Sequence, residues 1–145
     1  MTGVQTCALP ISWVGRRMRV HATSVGKALV AHIPQERLEK ILSDRGMEKR
    51  TPKTITTVSR LLKELEKVRA QGYAVDDEEN NMGARCLGAP VFDQSGSIEA
   101  ALGLSGTINQ VNAHTMPRIL EALKDAARHV SMQLGYRVPR RAGGD

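Results

Sequence analysis

Aromatic residues are what this sequence has least of: one Phe, one Trp and two Tyr make up 3% of its 145 residues. A module that stacks single-stranded bases needs a platform of aromatic faces, and Trp13, Tyr73, Phe92 and Tyr136 are too scattered to form one. Cysteine is as scarce. The two present, Cys7 and Cys86, mark no secreted disulfide framework, so free thiols in a reducing cytoplasm are expected. No apolar run is long enough to span a bilayer, which argues against a membrane role. No close His/Cys pairing suggests a structural zinc site, and neither internal repeats nor low-complexity segments occur. The formal charge of +6 invites a nucleic-acid reading, but much of it sits at the ends, in Arg16, Arg17 and Arg19 and in Arg137, Arg140 and Arg141. The middle of the chain is nearly balanced.

What is present is apolar content of 41%, enough to pack one core, and a central stretch that reads as strand, acidic loop, strand, turn, strand. Residues 73–75 and 85–92 are β-prone runs, residues 93–96 form a turn, and residues 98–104 supply a third run, so the centre is an antiparallel hairpin. Upstream, residues 13–20 mix apolar and basic side chains as an edge strand would. Thr23 or Ser24 then caps a helix through Ala31. Pro34 opens a second helix that stops before Gly46, and Thr57 or Ser59 opens a third, with Leu61, Leu65 and Val68 on one face and Gly72 as its stop. A final helix runs from about Ala113 to Leu134, with Pro117 in its first turn. This order predicts an α+β domain, an antiparallel sheet flanked by helices.

Candidate chemistry gathers in the hairpin. Cys86 and Ser105 are small polar groups among apolar neighbours, and Asp76 and Asp77 lie just upstream, so this sheet face can hold a small ligand. Asp76, Asp77, Glu78 and Glu79 are consecutive carboxylates. A solvated loop accounts for at least two of them, while alternation along a strand leaves one to point inward. Gly26 and Lys27 prompt a phosphate-loop reading that fails, because the spaced first glycine and the Ser/Thr after the lysine are absent. A small thiol enzyme built on Cys86 stands as an alternative, with His21, His32, His114 or His129 as base, although no catalytic signature surrounds the cysteine. A purely structural oligomerisation domain is a third reading.

Several stretches in order carry a resemblance: HATSVGKA at residues 21–28, Thr51 with Thr54-Ile-Thr at 54–56, VRAQGYAVDDEE at 68–79, GARCLGAPVFD at 83–93, LSG at 104–106, and AARHVS through LGY between residues 126 and 136. Together they resemble the C-terminal domain of IclR-type bacterial transcriptional regulators. The resemblance covers residues 13–136. It implies a GAF- or PAS-like domain that binds a small organic or aromatic acid, needs no cofactor or metal and performs no catalysis. It implies a dimer or tetramer, and contact with DNA through an N-terminal winged helix-turn-helix that this chain, along with the first strands of the sheet, would lack. Carried over by position, the effector-binding residues are Ser24 and Val25 through their main chain, Asp76, Cys86, Gly103 and Ser105. Gly103 departs from the hydroxyl many relatives carry there, which removes a donor and leaves more room. Arg19 replaces the usual proline before His21, and Thr107 stands where a proline commonly follows Ser-Gly.

Residues 2–11 follow no helical or alternating pattern and resemble the in-frame translation of a common sequencing adapter. The expected division is therefore residues 1–11 as an artefact, 12–136 as an N-terminally truncated effector-binding domain, and 137–145 as a disordered tail.

Overall fold

The computed structural model describes residues 14–139. The reading of residues 1–11 as foreign, Cys7, Trp13 and most of the expected tail lie outside these residues. Among them run, in order, α1 (Ser24–Val30), α2 (Gln35–Arg45), α3 (Val58–Gln71), β1 (Ala74–Asp77), β2 (Ala84–Phe92), β3 (Ile98–Thr107) and α4 (Met116–Gln133). The strands form one antiparallel sheet in the order β1-β2-β3, so the domain is α+β as its sequence predicts.

Strand alternation sorts the two faces. Leu87, Ala89 and Val91 point to one side and pack with Leu123 and Ala127 of α4 and with Val111. The other side faces α1, and Ala28, Val30 and Ala31 there join a cluster with Leu38, Leu42, Leu61, Leu65, Val68 and Ala74. Leu61, Leu65 and Val68 recur at helical spacing and are all buried. Gly72 ends α3 at φ +81, a left-handed conformation that glycine adopts without a Cβ clash.

Four boundaries differ from the sequence reading. Residues 14–20 form no strand: Gly15 turns at φ +84, and the Arg19 carbonyl accepts from the Ala22 N–H and the Thr23 hydroxyl, curling the chain into α1 instead of along a sheet edge. β1 continues through Asp77, so the first two acids belong to a strand. β3 extends to Thr107, which places Ser105 inside the sheet. α4 starts at Met116 because Asn112 and Thr115 bond each other's neighbourhood into a turn, the Asn112 side chain accepting from the His114 and Thr115 N–H groups.

Candidate functional site

The register puts Asp76 opposite Cys86 and Cys86 opposite Ser105, so these side chains form one row across all three strands. The next row is Ala74, Gly88 and Gly103. Its two glycines have no side chains, and the first turn of α1 settles onto them. A Cβ on Gly88 would lie 2.7 Å from the carbonyl carbon and oxygen of Ser24. Between the polar row and this turn is a pocket of about 260 Å³ lined by Ser24, Val25, Asp76, Cys86, Gly103 and Ser105, together with Met18, Thr23 and Asn80. The structure thus brings all six residues singled out in the sequence around one space.

Met18, Thr23 and Asn80 were not foreseen as lining. Thr23 had a visible signal as a cap, and its side chain does accept from the Gly26 N–H at 3.2 Å. Asn80 follows the acidic run, and its N–H donates to Asp76 Oδ1 at 3.2 Å. Met18 carried no signal, because its segment was read as an edge strand. The expectation that Gly103 leaves room is corrected. Val25 Cγ1 stands 2.5 Å from where a Cβ on residue 103 would be, so the vacated space is already filled.

The acidic loop owes its shape to residues far away in sequence. Lys27 is fully buried, and its ammonium donates to Glu79 Oε2 at 2.5 Å and to the Val75 carbonyl. The Thr51 hydroxyl donates to the Glu78 carbonyl at 2.6 Å and the Thr54 hydroxyl to the Glu79 carbonyl at 2.6 Å. Lys53 adds a 2.8 Å contact to Glu78, whose backbone is held at φ 57, a conformation uncommon for a residue with a Cβ. Two acids point inward where one was expected: Asp76 is 3% exposed and Glu79 9%. These ties explain the lysine after Gly26. It is a buried strut, not a phosphate ligand.

Burial raises the Asp76 carboxyl above its ordinary range, against the opposing pull of the Glu79 and Asn80 N–H bonds and of Lys27. Burial likewise raises Glu79 despite Lys27. The Cys86 thiol is also pushed up, first by burial; the Ser105 hydroxyl beside it pulls the other way, and the Asp76 charge raises it further. A thiol so placed stays protonated at neutral pH. No His ring is hydrogen-bonded to it among the described residues: His21 meets the Glu48 carbonyl at 3.0 Å, His32 lies edge-on to Phe92, and His129 meets the Asp125 carbonyl.

A wider groove of about 690 Å³ lies between β3 and α4, lined by Leu102, Leu104, Ile119 and Leu123 among others. It opens along the sheet edge and has no comparable set of buried polar groups, so the smaller pocket is the better candidate.

Residues 4–132 match the sequence profile described as "Bacterial transcriptional regulator IclR C-terminal". The chain belongs to the IclR family. It is 35% identical over 126 residues to the HTH-type transcriptional repressor AllR of Salmonella typhi, covering 87% of this chain and 46% of that protein. The C-terminal domain of the E. coli transcriptional regulator KdgR superposes with a TM-score of 0.79 at 36% identity, covering 84% of this chain and 74% of that one. The inducer-binding domain of a PobR double mutant from Acinetobacter, in complex with 3-hydroxybenzoic acid, superposes with a TM-score of 0.74 at 30% identity, covering 81% and 67%. The chain therefore spans about half the length of the AllR protein it matches. IclR-family proteins are transcriptional regulators, not enzymes, so the thiol-enzyme alternative on Cys86 falls. No helix among the described residues is long and apolar enough to cross a membrane.

Proposed function

We propose that this chain is the effector-sensing part of an IclR-family regulator and that the pocket over Asp76, Cys86 and Ser105 binds a small organic acid. The observation that carries the reading is the row of Asp76, Cys86 and Ser105 under the first turn of α1, with Asp76 and Cys86 buried and Ser105 open to solvent at the edge strand. Ser105 offers a hydroxyl donor, Cys86 a soft wall, and Asp76 a carboxyl with one oxygen engaged by two backbone N–H groups. Apolar side chains of Val25 and Met18 add to the lining. Small-molecule sites pair apolar walls with a few convergent polar groups in this way. A hydroxy- or keto-acid fits best, its carboxylate toward the Ser24 and Val25 main chain and its hydroxyl or carbonyl toward Asp76. The PobR domain crystallised with 3-hydroxybenzoic acid, an acid bearing a hydroxyl, supports this class.

In this reading residues 12–136 are the sensing domain, residues 1–11 are foreign to it although the profile match begins at residue 4, and the protein acts in the cytoplasm as a homodimer or tetramer. Contact with DNA is made by a winged helix-turn-helix outside the present sequence, and occupancy of the pocket shifts subunit geometry that the DNA-reading part follows. Calorimetric titration with a panel of hydroxy-, keto- and aromatic acids is the direct test. Saturable one-site binding that Ser105→Ala weakens is expected, and affinities unaffected by changes at Ser105 and Asp76 would locate the site elsewhere.

A further inference from the structure

Val25 and Gly103 compete for one volume. A Cβ on Gly103 would lie 2.5 Å from Val25 Cγ1 and 4.0 Å from Val25 Cβ, with the Leu87 carbonyl oxygen at 3.6 Å. Carbon atoms pack best about 3.5–4.0 Å apart, so a valine here and any side chain at 103 exclude each other in this backbone. Moving α1 closer to the sheet does not relieve the conflict. Its first turn already rests on Gly88, where a Cβ would meet Ser24 main-chain atoms at 2.7 Å and the Val25 nitrogen at 2.9 Å. Rotation gives little either, because Val25 is β-branched and sits in α1, where one χ1 rotamer dominates. The side chain at 25 thus stands at the pocket wall with nothing able to replace it from the β3 side.

We propose that Val25, taking the place of the side chain that residue 103 lacks, sets the size limit of the pocket and selects compact hydroxy- or keto-acids over branched and aromatic ones. The inference rests on the acid-sensing reading above. It moves the specificity determinant from the sheet to the helix: a glycine on β3, expected to enlarge the site, instead admits a rigid aliphatic wedge from α1. A pocket of about 260 Å³ that already holds this wedge suits a short acid, and withdrawing two methyl groups is the change that would open it.

The test is calorimetric titration of the whole 145-residue chain with lactate and pyruvate as compact probes and 3-hydroxybenzoate and mandelate as bulky ones. Wild type, Val25→Ala, Gly103→Ser and the double variant are compared, each with its thermal midpoint. Val25→Ala is expected to shift the ratio of affinities toward the bulky probes by about tenfold or more, the scale on which a hydrophobic pocket discriminates one methylene. Gly103→Ser alone should weaken every probe and lower the midpoint, and adding Val25→Ala should recover both beyond the sum of the single effects. If wild type binds a probe and Val25→Ala leaves the ratio unchanged, the size limit is wrong while the acid-sensing reading stands. If thermal effects of the two substitutions simply add, the shared volume is wrong whatever binds. Wild type that binds no acid of the panel overturns the functional reading and the size limit together.

Discussion

Lys27 on α1 and Glu79 beyond β1 meet at 2.5 Å with the lysine fully buried, and this pair ties the helix over the pocket to the loop beneath it. Removing one partner of a buried pair leaves an uncompensated charge in a poorly solvating place. Lys27→Met is therefore expected to cost about 3 kcal/mol of unfolding free energy, the lower end of the range for such deletions. Glu79→Gln should cost less, since the amide can still accept from the ammonium. Combining Lys27→Met with Glu79→Leu should return most of the stability but not the ligand affinity, because Asp76 is positioned by the same loop. Urea unfolding of the three variants decides; a Lys27→Met protein as stable as wild type would remove the pair from the account.

Asp76 sets an unusual pH dependence. Its folded carboxyl titrates above the ordinary value of 3.8, raised mainly by burial, with Glu79, Asp77, Lys27 and Cys86 as its charged or titratable neighbours. Between the unfolded and folded values the native chain holds a proton that the unfolded chain has released. Stability from this group therefore grows as pH falls through that window and is lost as pH rises out of it. Glu48, Glu78 and Asp93 act oppositely: hydrogen-bonded partners lower each of them, and their contribution disappears as pH falls through their depressed values. The thermal midpoint should accordingly rise as pH falls toward the ordinary carboxylate range, drop in stronger acid, and show a smaller first rise in Asp76→Asn, with Glu79, raised in the same way, supplying the remainder. An acid anion bound beside Asp76 favours its protonated form, so binding should tighten over the same interval.

Much of this site was legible because its polar residues fall at sheet spacing. Asp76, Cys86 and Ser105 are small polar positions in β-prone runs, and the resemblance added Ser24, Val25 and Gly103. The helix ends were equally readable: Thr23 caps α1 with its hydroxyl, Gly72 stops α3 in the left-handed region, and Pro34 and Thr57 stand at the N-cap positions of α2 and α3 without a side-chain capping bond. What escaped was non-local. Nothing near Lys27 says that its ammonium crosses to Glu79, 52 positions on, nor that Thr51 and Thr54 hold the carbonyls of the acidic loop. Gly103 was misjudged for the same reason: an absent side chain says nothing about which neighbour takes its place.

Cys86 should behave as wall, not reagent. With the thiol buried and its ionisation suppressed, alkylation by iodoacetamide at pH 7.5 is expected to be far slower than for a free cysteine, and slower again with an acid bound. Cys86→Ser should keep the fold and retain binding. Rapid alkylation of the folded chain at neutral pH would contradict the environment described.

Deleting residues 1–11 should leave the unfolding midpoint and acid binding unchanged, because those residues carry no helical or alternating apolar pattern and the core clusters among the described residues are built from residue 20 onward. A fall of several degrees in the midpoint would show that those residues contribute to this domain. The chain should also lack sequence-specific DNA affinity, since basic residues cluster at its ends and any association would be salt-sensitive phosphate contact. Nanomolar operator binding at physiological salt would refute that.

Ser105 is the group whose removal most directly tests where the ligand sits. It faces the pocket from β3, opposite Cys86, and belongs to the edge strand, so Ser105→Ala takes away a hydroxyl without opening a buried cavity or interrupting the β2–β3 register. The expected loss of affinity is about 0.5–1.5 kcal/mol if the hydroxyl meets a neutral ligand atom and about 1.5–3 kcal/mol if it meets the carboxylate. The two ranges separate the orientations. A loss near the upper range for every acid in the panel would turn the carboxylate toward β3 and away from Ser24, while a loss confined to hydroxy-acids would put the ligand hydroxyl there. The substitution also relieves the Cys86 thiol of the one side chain that lowers its pKa, so thiol ionisation in Ser105→Ala should move still further up, readable as slower alkylation. Unchanged affinity together with unchanged alkylation would mean that Ser105 faces neither ligand nor Cys86.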